Sequence, residues 1–283
     1  MSAAEDLLAG AIDYAGMFPP AGLNLETTVR NYEAYRGGRN AWALGRLILP
    51  ASALAEFVDR WPALAREWPL SVLLSGDFAA EIERAAGLGL RLDVVECRAA
   101  GVEQVAELRR LLPEATIFVE AAVGDELDTW LAAIAGAGAC AKIRMGGVVS
   151  GAIPPATAVA EFLAACARRG VRLKATAGLH HAIRAAQALT YEQGSERAMM
   201  HGFVNFFVAC AIVCSGGDAS EAEAALADGL AADFRCDERQ LQWRGWSFTG
   251  DRIRQMRESF AVGFGSCSFV EPLEDLRVMG WVR

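Results

Sequence analysis

Lys142 and Lys174 each stand near the end of a short apolar run that breaks into glycine, at Gly146-Gly147 and at Gly178. A buried parallel strand ends in a loop in this way. Between them, Pro154-Pro155 open a segment with Val159, Phe162, Leu163 and Cys166 at helical spacing, and Arg168-Arg169-Gly170 close it. Strand, helix, strand is a crossover that makes its two strands parallel; as neighbours ~4.8 Å apart, they would set the two lysines face to face. A lysine of ordinary pKa, ~10.4, stays protonated at pH 7 and does not attack a carbonyl, but burial and a second cation both disfavour its charge. Paired lysines are therefore one way to make a Schiff-base nucleophile. Alternation along a strand puts Arg144 on the face of Lys142 and Thr176 on the face of Lys174. Glu96 and Glu120, at the ends of two earlier runs, are placed to move protons. The same residues fit a structural salt-bridge cluster equally well.

Further apolar runs at residues 11–18, 44–49, 70–74, 92–96, 115–121 and 260–264 read as strands, besides 140–145 and 171–177. Helical segments alternate with them at 25–35, 51–68, up to Gly87, 101–112 and up to Gly136, with Asn24, Asp77 and Asp125 as N-caps. Later, residues 196–214 read helical, Ser220 to Glu223 reads as a capping box, residues 234–248 have no clear period, and a last helix covers 271–279. Eight strands alternating with helices predict an α/β fold, a (β/α)8 TIM barrel. It forms one domain over residues 1–283, with a helical and loop insertion at about 182–258 between strands seven and eight. No G-x-G-x-x-G opens a helix after the first strand and no Walker A sequence occurs, which argues against a Rossmann sheet; no cofactor is expected.

Barrel chemistry sits at the C-terminal ends of the strands. The polar residues there are Asp13, Glu96, Glu120, Lys142, Arg144, Lys174, Thr176, His180 and Ser266. Asp13 either reaches the site or bonds its own backbone as a turn residue. Arg144 either holds a substrate anion, with backbone N–H groups near Gly178 and Gly265, or neutralises a glutamate. His180, His181 and His201 are the chain's three histidines. His180 and His201 with a glutamate would make a metal-dependent hydrolase or lyase the alternative, although no H-x-H or H-E-x-x-H spacing supports a metal site. A barrel that binds a ligand without chemistry is the third reading.

The motifs K-I-R-M-G-G and L-K-A-T-A-G-L, one βα unit apart, resemble the sixth and seventh strands of class I aldolases of the deoxyribose-phosphate aldolase type, over roughly residues 140–268. The resemblance implies a lyase that works through an imine on Lys142, tuned by Lys174. G-F-G-S-C-S at 263–268 is similar to that family's small-residue phosphate loop. A-G-L-H-H after strand seven departs from the glycine and basic residue expected there, and Arg144 replaces a small polar residue.

A net charge of −8 argues against a polyanionic partner such as nucleic acid. The N-terminal residues have no basic region before an apolar core, and the longest apolar stretch, 203–214, is too short to span a bilayer. The expectation is a cytoplasmic protein with a small, anionic substrate and no membrane partner; a homo-oligomer stays open. The seven cysteines are scattered without a C-x-x-C pair and read as reduced thiols.

Overall fold

The computed structural model describes residues 2–121 and 123–282; Met1, Ala122 and Arg283 lie outside it. Its strands, in chain order, are β1 (Ile12–Tyr14), β2 (Leu44–Pro50), β3 (Leu70–Leu74), β4 (Val94–Cys97), β5 (Thr116–Glu120), β6 (Cys140–Arg144) and β7 (Leu173–Thr176), then β8 (Ala185–Ala188), β9 (Arg197–Met200), β10 (Phe234–Cys236), β11 (Gln240–Trp243), β12 (Trp246–Thr249) and β13 (Ala261–Ser266). Among the described residues, eight of these pair in parallel into a closed barrel, in the order β1-β13-β7-β6-β5-β4-β3-β2. This is the (β/α)8 TIM-barrel fold.

The period of two along each strand decides what fills the barrel. Val94, Phe118 and Cys140 form a buried cluster with Val262 packed on it. Two residues further along the same three strands come Glu96, Glu120 and Lys142. An apolar layer therefore lies under a charged one. Outside, the long apolar faces of the strands are covered by helices such as Ala156–Arg168, which buries Val159, Phe162, Leu163 and Cys166. The segment Ser150–Arg168 is apolar and, at 19 residues, as long as a membrane span. Its apolar face, however, is packed inside the fold.

Several boundaries differ from the sequence reading. The stretch 196–214 is not one helix: β9 pairs with β8 as an antiparallel hairpin, and the helix Phe203–Cys214 starts only after Gly202. A side chain at Gly202 would collide with Ala182 O, so the backbone there is held by its neighbour and not by a helical turn. Residues 234–248 form most of a three-stranded antiparallel sheet, β10-β11-β12, whose strands of three or four residues are too short to carry a visible period. The capping box belongs to Asp218 and Glu221, not to Ser220 and Glu223. The helix Leu127–Gly136 has Glu126 and not Asp125 at its N-cap, without a side-chain bond. An unanticipated helix, Ala3–Leu8, opens the chain on a Ser2–Glu5 capping box. Buried Arg257 ties it to β13 by donating to Leu7 O, Ala9 O, Ala261 O and Val262 O.

The loops after β6 and β7 meet backbone to backbone. A Cβ on Gly178 would lie 2.8 Å from Gly146 Cα, and Gly178 has a φ of +74°. Gly178→Ala is expected to destabilise the fold by about 2 kcal/mol, or roughly 4–8 °C in Tm, through both strain and collision. A thermal melt measures it, and an unchanged Tm would mean that the two loops move apart freely.

Candidate active site at the barrel mouth

Register brings the charges together. Lys142 pairs with Lys174 across β6 and β7, and Glu120 pairs with Lys142 across β5 and β6. Both lysines point into the barrel, where Lys142 is 3% and Lys174 1% exposed. A row of alternating sign crosses the interior. Asp13 Oδ2 accepts from Lys174 Nζ at 2.5 Å, and Lys174 also donates to Glu96 Oε1 at 2.7 Å. Lys142 Nζ lies 3.3 Å from Glu96 Oε2 and 3.5 Å from Glu120 Oε2. Arg144 closes the row on Glu120, donating from Nε at 3.0 Å and from Nη2 at 3.3 Å. Alternation is what burial demands, because an unpaired ion in a low dielectric costs several kcal/mol.

Neutral donors complete the row. Ser71 Oγ donates to Glu96 Oε1 at 2.7 Å. The β1–β2 ladder shifts register between Ile12 and Tyr14, and there Asp13 Oδ1 accepts from Arg46 N at 2.6 Å. Asp13 thus serves both the backbone of a neighbouring strand and the row. Gly45 makes room for it, since a side chain there would strike Asp13 Oδ1.

Burial alone would raise the Glu96 carboxyl, but Lys174 and Lys142 outweigh it and pull the pKa down to about 2. Burial opposes the charge on Lys174 as well; Asp13 and Glu96 overcome it and hold the ammonium above the usual lysine range. Glu120 is likewise lowered against burial, first by Lys142 and then by Arg144. Glu96 stands between the two lysines. Their mutual repulsion, expected from the sequence to depress the charge on Lys142, is therefore screened by a carboxylate, and Glu120 adds a second one 3.5 Å from Lys142 Nζ.

Above the row opens a cavity of about 630 Å³, whose wall includes Glu96, Arg98, Glu120, Lys142, Arg144 and His180. Thr176 and Gly265 also line it, whereas Asp13, Lys174, Gly178 and Ser266 do not. Ser266 is buried, and its Oγ accepts from Ser268 N. A groove of about 840 Å³ elsewhere, between Ser2, Arg39, Trp42 and Trp281, holds none of these charges.

His180 and His181 both reach the helix Val270–Val278. His180 Nδ1 is 3.2 Å from Glu271 Oε2 and 4.0 Å from Cys267 Sγ, while His181 Nδ1 is 3.2 Å from Asp275 Oδ2. Tyr191, from the loop of the β8–β9 hairpin, donates to Glu271 at 3.1 Å. His201 lies apart, with Nε2 2.8 Å from Pro154 O. Among the described residues no three His, Cys, Asp or Glu side chains converge as metal ligands, so the set of His180, His201 and a glutamate is not assembled.

Burial opposes a charge on His180, but its bonds to Cys267 and Glu271 push its pKa up to about 9. A raised pKa stabilises the fold fully below the unfolded value of ~6.5 and loses that contribution as pH rises through about 9. His180→Gln is therefore expected to cost about 2 kcal/mol at pH 7 and almost nothing at pH 10. Urea unfolding of both proteins at the two pH values measures this; a deficit that persists at pH 10 would assign it to packing.

Sequence reasoning missed Arg98, Ser71, Cys267, Glu271 and Tyr191. One signal was available in the composition. Lys142 and Lys174 are the chain's only lysines, and all its other permanently charged basic side chains are arginine.

No protein-family model matches the sequence, and no curated protein does. Among solved structures, an NAD binding oxidoreductase from Klebsiella pneumoniae is similar over 46% of this chain, at 18% identity and a TM-score of 0.23. The match spans 34% of that protein's own length, and a likeness so slight carries no argument about activity.

Proposed function

We propose that the protein is a lyase of the aldolase type that acts on a small anionic carbonyl metabolite through an imine on Lys142. The observation that supports this most is the unequal placement of two lysines. Lys142 opens on the cavity with Glu96 and Glu120 within 3.5 Å, whereas Lys174 is sealed between Asp13 and Glu96.

For Nζ to attack, Lys142 must pass on a proton. Both carboxylates are stabilised by two cations, but Glu96 is fully buried and its pKa is held at about 2, so Glu120, the more open of the two at 11% side-chain exposure, takes it. Nζ adds to the carbonyl carbon while the π pair moves to oxygen, which is protonated from Glu120 to give a carbinolamine. Loss of its hydroxyl as water, with one more proton through Glu120, leaves the iminium. Cleavage of the next carbon–carbon bond sends its electron pair into the iminium to form an enamine, and the substrate's β-hydroxyl proton goes to a carboxylate. Protonation of the enamine and hydrolysis then free Lys142. In this scheme Lys174 keeps Glu96 ionised, so the iminium finds a counter-charge where the ammonium had one.

A barrel that binds without reacting is the second reading, favoured by the complete pairing of the charge row. The two separate on borohydride reduction with a panel of small aldehydes and oxo acids, followed by peptide mass mapping. With two lysines in the chain, the site of any side-chain adduct is unambiguous.

A further inference from the structure

We infer that the ligand of this cavity is a small oxo-monocarboxylate, not a phosphate ester, and that Arg98 takes its carboxylate. This rests on the cavity being a site for a carbonyl metabolite, though not on the imine.

The first observation is which cation is left over. On the cavity wall Lys142 faces Glu96 and Glu120, Arg144 spends two donors on Glu120, and His180 is matched by Glu271. Arg98 directly follows β4 and is exposed on the same wall. Among the described residues it makes no hydrogen bond or ion pair; its field reaches Glu120. A guanidinium offers a planar fork that fits one carboxylate in two-point fashion. One unmatched positive charge, in a chain of net charge −8, is provision for a monoanion. The neighbouring wall at Phe18, Ile48 and Leu73 is apolar and suits a short carbon chain.

The second observation is that the usual phosphate place of a barrel is filled by the protein itself. Barrels commonly hold phosphate between the loops after strands seven and eight and a helix N-terminus. Here Gly178 in the first of those loops is backed onto Gly146. In the helix after β13, the N–H of Glu271 donates to Ser268 Oγ, and the Glu271 carboxylate engages His180 and Tyr191. Asp275, one turn later, accepts the Ala182 N–H at 2.8 Å. A phosphate dianion there would meet two carboxylates and find these backbone donors taken.

The test is calorimetric titration, at constant ionic strength, with propionate, which has no carbonyl group to form an imine, and with inorganic phosphate. Propionate is expected to bind the wild type. Arg98→Gln should weaken it about tenfold and Arg98→Lys by less, since charge without the fork keeps part of the interaction. Phosphate should neither bind nor displace propionate. The inference is overturned if the wild type ignores propionate, if phosphate displaces it, or if Arg98→Gln binds it with unchanged affinity. Propionate binding through Arg98 without a borohydride adduct from pyruvate would remove the imine and leave this inference standing. A pyruvate adduct on Lys142 with propionate affinity indifferent to Arg98 would do the reverse.

Discussion

Lys142→Met should yield no borohydride adduct with any carbonyl compound that marks the wild type, and turnover of such a compound should fall by at least ~10⁴-fold, as when a covalent nucleophile is removed. Methionine keeps most of the side chain's length and volume. It leaves Glu96 with Lys174 and Ser71, and Glu120 with Arg144, so neither carboxylate is stripped of partners and the barrel should still form. The adduct in the wild type should map to Lys142 and not to Lys174, whose Nζ already donates to Asp13 and Glu96 and is shut off from the cavity. An adduct on Lys174, or full turnover in the variant, would falsify the imine. Loss of turnover without any adduct in the wild type would point instead to Lys142 as a proton donor.

The barrel was legible because its signals are local. Short apolar runs end at Pro or Gly, and helices with caps lie between them, so the order of elements follows from neighbours in the chain. The facing of Lys142 and Lys174 was legible for the same reason, since one crossover unit makes adjacent strands. What the sequence does not carry is the pairing made by closure. Asp13 meets Lys174 because β1 and β7 both flank β13 in a closed sheet, across a separation of 161 residues. Without closure Asp13 reads as a turn residue, and the two lysines look like bare cations in repulsion. Glu96 changes that reading, because a carboxylate between two ammonium groups turns mutual destabilisation into mutual support. The clustering of the histidines in sequence was a misleading signal. Hairpin β8–β9 separates His180 and His181 from His201, whose ring turns to the carbonyl of Pro154. Arg98 escaped notice because nothing in a strand pattern marks the first residue past β4; its interest lies in making no hydrogen bond or ion pair among the described residues, and that is a property of the folded wall.

Lys174→Met should destabilise the protein by about 3–5 kcal/mol at pH 7, the scale on which breaking a buried ion pair from one side is felt. The loss comes from what remains. Among the described residues, the fully buried Glu96 keeps Lys142, 3.3 Å away, and Ser71 as hydrogen-bond partners, and Asp13 keeps the Arg46 N–H. Two features separate this from the cost of a poorly fitting methionine. The first is pH. In the wild type Glu96 has a lowered pKa, about 2 against an ordinary 4.5, so the row's contribution is present above ~4.5 and fades as pH falls through about 2. In the variant Glu96 loses the stronger of the two cationic influences that held its carboxyl down, takes up a proton at higher pH, and sheds its penalty. The gap between the two proteins should therefore narrow from pH 7 to pH 5. The second is compensation. Asp13→Asn keeps a carbonyl oxygen for the Arg46 N–H while removing the charge that Lys174 had matched, so the double variant should recover roughly 1–2 kcal/mol of the loss. Urea unfolding of wild type, single and double variants at both pH values measures all of this. Deficits equal at the two pH values, with no recovery in the double variant, would mean that Lys174 supplies volume to the barrel and not charge.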